Sequence, residues 1–153
     1  MSADTRNFVL DISTDFFKLS TESLRLHSNE THRFETLESL INARAASGSY
    51  KDEHKTDTLR KHLCAIPTEG DIRITLTIRK TSAESLDEAR ARLCGRLGSD
   101  ITVADAISVL LFDYVAEKRA GQLLDRIGLG DSTQNGDKTS ASGEQDGNVI
   151  PLR

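Results

Sequence analysis

Residues 72–78 alternate strictly between aliphatic and polar side chains, reading Ile-Arg-Ile-Thr-Leu-Thr-Ile. Successive side chains of a β-strand point to opposite faces, so this pattern predicts a strand with one buried face and one exposed face. The exposed face would carry Arg73, Thr75 and Thr77. Because one strand cannot satisfy its own backbone hydrogen bonds, the segment needs a partner strand.

Two helices are predicted after this strand. Thr81-Ser82-Ala83-Glu84 and Thr102-Val103-Ala104-Asp105 each place a hydroxyl three residues before a carboxylate, which is the pattern of a capping box. Apolar residues then recur at steps of three and four, and Gly98 ends the first helix. The first apolar stripe comprises Ala83, Leu86, Ala89, Leu93 and Leu97, and the second comprises Ala106, Ile107, Leu110, Leu111, Tyr114 and Val115.

Antiparallel pairing of the strand with a partner strand would hide its aliphatic face on these helices. The opposite face would then be exposed on a two-stranded ribbon, and such a ribbon fits the major groove of DNA. The alternative interpretation of this polar face is the solvent side of an ordinary sheet.

Residues 73–78, followed by Ile101-Thr102 and a helix containing Ala106-Ile107-Ser108-Val109, resemble the ribbon-helix-helix family of the Arc, MetJ and CopG repressors. The resemblance covers roughly residues 71–120. It implies a dimeric DNA-binding fold. Two departures are a longer segment, Arg79-Lys80-Thr81, before the first helix, and some 70 residues ahead of the strand.

The resemblance also implies roles for individual residues, carried over by position. Outward strand residues would contact bases, and the start of the second helix would hold a phosphate. The base-contacting residues would be Arg73, Thr75 and Thr77, and the phosphate-contacting residues would be Arg79, Lys80, Thr102, Val103 and Ala104, the last two through their backbone amides. The plainer interpretation of Thr102 is a helix N-cap, and both roles can coexist.

Residues 6–46 show the order strand, helix, turn, helix a second time. Phe8, Leu10 and Ile12 would share one face of the first strand, and Asn7, Val9 and Asp11 the other. Helical apolar contacts are expected from Phe16, Phe17, Leu24 and Leu26, and then from Phe34, Leu37, Leu40 and Ile41. The competing interpretation is an unrelated α-rich extension.

The predicted fold class is mainly α with a two-stranded antiparallel β-ribbon, a ribbon-helix-helix fold in one or two copies. Residues 1–46 would be a degenerate first unit, 47–70 a linker with a short helix, 71–127 the second unit, and 128–153 a disordered tail. Pairing would occur in a homodimer or within one chain as a pseudo-dimer. The second arrangement is similar to tandem members of the family that assist T-DNA transfer, and its asymmetric ribbon would favour a non-palindromic site.

Other classes of protein find little support in the sequence. We expect neither a membrane span nor an export signal, and Cys64 and Cys94 are expected to be reduced thiols in a cytoplasmic protein. The four histidines lack metal-ligand spacing and are expected at the surface. No catalytic motif is found, so we expect neither an enzyme nor a cofactor.

The expected function is sequence-specific binding of double-stranded DNA, as a transcriptional regulator or an accessory factor in plasmid or conjugative DNA processing. The net charge of −4 is compatible with this, because a few well-placed donors suffice locally while bulk charge governs mainly non-specific affinity. One alternative is an antitoxin-like or adaptor protein that binds a protein partner through its N-terminal segment or C-terminal tail. Another is a dimerisation module with no role on DNA.

Overall fold

The computed structural model describes residues 4–46 and 54–126, which form two strands and five helices. In chain order these are β1 (Thr5–Ile12), α1 (Thr14–Thr31), α2 (Leu37–Ala46), α3 (Thr56–Ala65), β2 (Ile72–Arg79), α4 (Lys80–Leu97) and α5 (Val103–Arg126). The described chain is mainly helical with a two-stranded antiparallel sheet, so this part of the predicted fold class is confirmed.

β1 and β2 pair along their whole length, from Thr5 opposite Arg79 to Ile12 opposite Ile72. This register places Leu10 and Ile12 of β1 and the four aliphatic residues of β2 on the same face, which packs on the helices. The inward pairs include Phe8 with Leu76, Leu10 with Ile74 and Ile12 with Ile72. A slip of one residue would turn every aliphatic side chain of β2 to solvent, so burial of this face fixes the register.

The helices supply the core beneath the ribbon. In α4 the predicted stripe is buried, at Ala83, Leu86, Ala89, Leu93 and Leu97. The predicted stripe of α5 is buried at Ala106, Ile107, Leu110, Leu111 and Tyr114. Phe16 and Leu26 of α1 and Leu40 and Ile41 of α2 complete this core from the N-terminal half.

The start of α4 differs from the prediction. The helix begins at Lys80, directly after β2, and its N-cap Arg79 makes no side-chain cap hydrogen bond. The expected capping box at Thr81 is therefore wrong, and so is the expected longer segment between strand and helix. Ser82 and Ala83 are buried instead, because packing against the core sets where this helix starts.

Two predicted apolar contacts in the N-terminal half are also wrong. Phe17 is 42% exposed, and Phe34 precedes α2 and is fully exposed. Two serines, Ser20 and Ser23, occupy buried positions of α1 instead. Their hydroxyls donate to carbonyl oxygens one turn back, so the helix itself satisfies them, and hydrophobicity alone cannot identify such positions.

The first helices of the two strand–helix–helix segments correspond at a constant separation of 66 residues. α1 (Thr14–Thr31) and α4 (Lys80–Leu97) are both 18 residues long. Each is followed by a residue in the left-handed conformation, His32 with φ 60° and Gly98 with φ 69°, whose amide donates to the carbonyl four residues earlier.

The second helices start alike at the same separation. Thr36 before α2 exchanges backbone-to-side-chain hydrogen bonds with Ser39, and Thr102 before α5 does so with Asp105. The fully buried Ile41 and Ile107 also correspond. The two segments therefore share the length of their first helix, the cap that ends it, the cap that starts the second helix and a buried isoleucine, although their sequences differ.

The segment between them contains α3, with Leu59 buried as the predicted short helix requires. After α3 the chain passes very close to the end of β1. A Cβ atom added at Gly70 would lie 2.4 Å from the Cα atom of Ser13, and the Gly70 amide donates to the carbonyl of Asp11. Only glycine fits this crossing.

The chain divides into two units between Ala116 and Glu117, and the second unit is described over residues 117–126. The predicted tail, residues 128–153, and residues 47–53 of the predicted linker lie outside the described residues. Among the helices of the described ranges, none is long and apolar enough to cross a membrane.

Candidate nucleic-acid interface

The outward side of the ribbon carries the predicted base-contacting residues. Arg73, Thr75 and Thr77 alternate along β2 and are exposed. In register opposite them, β1 contributes Asp11, Val9 and Asn7. These six side chains form one surface, the ribbon face.

An ion pair joins the two strands at one end of the ribbon face. Arg73 donates from Nε to Oδ1 of Asp11 at 2.8 Å and from Nη2 to Oδ2 at 3.1 Å. The guanidinium holds the pKa of Asp11 below its usual range, and the carboxylate raises the pKa of Arg73. Both groups are therefore charged at neutral pH, and both stay exposed, at 71% for Arg73 and 53% for Asp11.

The other two cross-strand pairs are uncharged. Thr77 donates from Oγ1 to Oδ1 of Asn7 at 2.8 Å. Between the ends, Val9 lies opposite Thr75 and is 61% exposed. The ribbon face thus offers hydrogen-bond donors, acceptors and methyl groups, which are the groups that base edges in the major groove can contact.

Sequence periodicity indicates the outward side of the first strand but not which residue each side chain meets across the ribbon. The pairing of Asp11 with Arg73 depends on the register between residues 62 positions apart. Long-range burial sets that register, and no local signal in either strand reveals it.

Arg79 and Lys80 lie where β2 passes into α4, and both are exposed. The backbone amide of Arg79 donates to Oδ1 of Asn42 in α2 at 3.0 Å, and the amide of Thr77 donates to Oε2 of Glu38 at 3.4 Å. α2 therefore covers part of the outer edge of β2, which an edge strand otherwise leaves open to further pairing.

The predicted capping box at the start of α5 is present. The Thr102 amide donates to Oδ2 of Asp105 at 3.1 Å, and the Asp105 amide donates to Oγ1 of Thr102 at 3.0 Å. The Thr102 amide is thus already engaged. The amides of Val103 and Ala104 open the helix, where no carbonyl inside the helix can accept from them. The Asp105 carboxylate partly offsets the preference of this helix start for an anion.

The start of α5 is tied to one end of the ribbon. Asp105 accepts from Oγ1 of Thr68 at 2.7 Å, and the Thr68 carbonyl accepts from the amide of Ser13, the residue after β1. This is the end of the ribbon that carries the Arg73–Asp11 pair. Arg79 lies at the opposite end of the eight-residue strand, about 24 Å away at the rise of an antiparallel strand.

The expectation that all histidines lie at the surface is wrong for His62. Its side chain is buried, its Nε2 lies 2.8 Å from Oγ of Ser108, and its ring stacks on Phe112 with centroids 4.4 Å apart. Burial lowers the pKa of His62. Because Ser108 is fully buried, this histidine–serine pair is a core contact and not an accessible nucleophile.

Metal-ligating residues are scattered in the part of the chain that the structure describes. There, no group of three or more histidine, cysteine, aspartate or glutamate side chains could hold a metal ion. Cys64 and Cys94 are both free thiols.

No family model, curated protein or solved structure matches this chain.

Proposed function

We propose that this protein binds double-stranded DNA sequence-specifically, as a ribbon-helix-helix pseudo-dimer within one chain that places its ribbon face in the major groove. The ribbon face is the observation that carries the proposal. Its outward polar side chains are exposed on a two-stranded ribbon, and the major groove, about 12 Å wide, admits such a ribbon.

The pseudo-dimer is supported by the pairing of β1 with β2 of the same chain and by the correspondence of α1 with α4. In a ribbon of this kind each half supplies one strand and two helices. The first half supplies the outward residues Asn7, Val9 and Asp11, and the second half supplies the three that the sequence predicts to contact bases.

Phosphate contacts would come from both ends of the ribbon. Arg79 and Lys80 would supply charged donors at one end, and the amides of Val103 and Ala104, with Thr102, would supply helix-start donors at the other. Because the net charge is −4, the non-specific affinity of the protein for DNA would be modest. Such binding suits a transcriptional regulator or an accessory factor in plasmid or conjugative DNA processing.

The experiment measures affinity of the full chain for duplexes enriched from a random-sequence pool. Arg73→Ala and Thr75→Ala should weaken binding to the enriched duplex and leave binding to unrelated duplex nearly unchanged. Arg25→Ala and Thr21→Ala are matched controls, since both residues are exposed on α1 and their side chains hydrogen-bond to nearby residues of that helix. Equal losses on all duplexes, or no enrichment at all, would reject sequence-specific binding.

A salt titration adds an independent measurement. The slope of log K against log salt is about −0.9 for each phosphate contact on duplex DNA. Replacing Lys80 with alanine should make the slope shallower by roughly one contact. A slope near zero in the unmodified protein would argue against the groove-bound ribbon.

An adaptor that binds a protein partner is the second candidate function. The observation that favours it is the fully exposed Phe34 between α1 and α2, with Phe17 also exposed in the same N-terminal segment. Under this function Phe34→Ala would abolish binding to the partner, and Arg73→Ala would leave it intact. Loss of DNA binding in Arg73→Ala would support the first function, and loss of partner binding in Phe34→Ala would support the second.

A further inference from the structure

Arg73 uses only one edge of its guanidinium to bind Asp11. The Nε and Nη2 atoms each donate to one carboxylate oxygen, at 2.8 Å and 3.1 Å. A guanidinium has five N–H groups in a planar fork, so three remain, two on Nη1 and one on Nη2. The carboxylate therefore leaves the end-on edge of Arg73 available.

That end-on edge presents two parallel N–H groups, one from each terminal nitrogen. Guanine is the base that offers two adjacent acceptors, O6 and N7, in the major groove, and arginine binds both at once. A guanidinium held by a carboxylate also has less rotamer freedom to lose on binding. Asp11 can thus orient Arg73 without occupying the groups that would read the base.

The opposite end of the ribbon face has different chemistry. The position 66 residues before Arg73 is Asn7, and the position 66 residues after Asp11 is Thr77. Thr77 donates to Oδ1 of Asn7, so the amide nitrogen of Asn7 keeps its two donors. Asparagine pairs with adenine, whereas arginine pairs with guanine. The pseudo-symmetric halves of the ribbon therefore present unlike groups to the groove.

The geometry points to Asp11 as a positioning residue that holds Arg73 end-on for guanine, so that the ribbon reads a non-palindromic DNA site with guanine at one end. This inference rests on the proposed function. It adds a residue of β1 to the specificity determinants and gives the site a direction. The Arg73 side chain also keeps the pKa of Asp11 low, so Asp11 is charged at neutral pH.

The test uses the full chain and a pool of duplexes with a randomised central segment. We expect the enriched site to be non-palindromic, with guanine fixed at one position. Replacing that guanine by adenine should weaken binding of the unmodified protein by roughly 5- to 140-fold, the range for loss of a good bidentate base contact.

Asp11→Ala and Asp11→Asn should reduce this guanine preference several-fold. They should also leave or raise affinity for the adenine-substituted duplex, because a negative charge near the DNA is removed. Asp57→Asn is the matched control, since it removes one carboxylate on α3 whose side chain is 86% exposed. It should leave the guanine preference unchanged. Arg73→Lys should lose the preference, because an ammonium lacks the planar fork.

The outcomes separate this inference from the proposed function. A palindromic enriched site, or a guanine preference that is unchanged in Asp11→Ala, would overturn the inference while sequence-specific DNA binding stands. Failure of the unmodified protein to enrich any duplex would overturn both. Thermal unfolding of each variant shows whether it is folded. If Asp11→Ala does not fold, Asp11→Asn is the variant to compare, because its side chain keeps one hydrogen-bond acceptor for Arg73.

Discussion

At the scale of single residues, His62 links the helix α3 to the core through one hydrogen bond to Ser108. Burial lowers the pKa of His62 below 6.5 in the folded state, whereas in the unfolded chain the pKa of His62 lies near its ordinary value. The stability contributed by the neutral ring is therefore complete above about pH 6.5 and is lost as pH falls below it.

We predict that the free energy of unfolding, measured by urea denaturation, falls more steeply between about pH 7 and pH 5 in the unmodified protein than in His62→Gln. Glutamine keeps a hydrogen-bonding group toward Ser108 but does not titrate. The difference between the two curves isolates His62 from the other histidines. Parallel pH dependences would show that His62 is as easily protonated in the folded protein as in the unfolded chain.

His32 and Gly98 adopt the same left-handed conformation after the corresponding helices α1 and α4. A residue with a Cβ atom is strained there and glycine is not. We predict that His32→Gly stabilises the protein by up to about 1 kcal/mol and that Gly98→Ala destabilises it by about 1 kcal/mol or more. Thermal unfolding measures both. Equal effects of the same sign would contradict the cap geometry.

At the scale of elements, the start of α5 depends on reciprocal hydrogen bonds between Thr102 and Asp105. Thr102→Ala should cost about 1 kcal/mol of stability without DNA, because one helix-start amide loses its side-chain acceptor. Thr102→Ser keeps the hydroxyl and is the control. Chemical denaturation of the two variants compares them directly, and indistinguishable midpoints would mean that the cap adds nothing to stability.

The elements differ in how far sequence alone determines them. The strict alternation of residues 72–78 predicts β2, because a period of two is not shared by helices. The start of α4 is not predictable in the same way, since the hydroxyl at Thr81 satisfies the local pattern of a cap while packing begins the helix at Lys80. Local rules describe local hydrogen bonds, and tertiary contacts then shift the boundary.

The candidate site shows the same division between local and long-range information. Which side chains of β2 face outward follows from its periodicity, so Arg73 is identified from sequence. Its partner Asp11 lies 62 residues away and is found only from the register of the folded ribbon. The exposed Phe34 is a third case, because it lies three positions before Leu37, the first residue of α2, and this spacing makes it look like part of the helical stripe.

At the scale of the whole molecule, the pairing of β1 with β2 removes the need for a second chain. Each half of a two-stranded ribbon would otherwise expose unpaired backbone groups and an uncovered aliphatic face. Here the two strands belong to one chain, and their shared inward face is buried on its own helices. One chain is therefore sufficient to close the ribbon.

We predict that the protein without DNA sediments as one species of 16.8 kDa over a wide range of concentration. Refolding at high concentration tests this most strictly, because two chains could then exchange strands, with β1 of one chain paired with β2 of the other. Intrachain pairing has the advantage of effective concentration, since the two strands are tethered. A stable species of twice the mass would contradict closure of the ribbon within one chain.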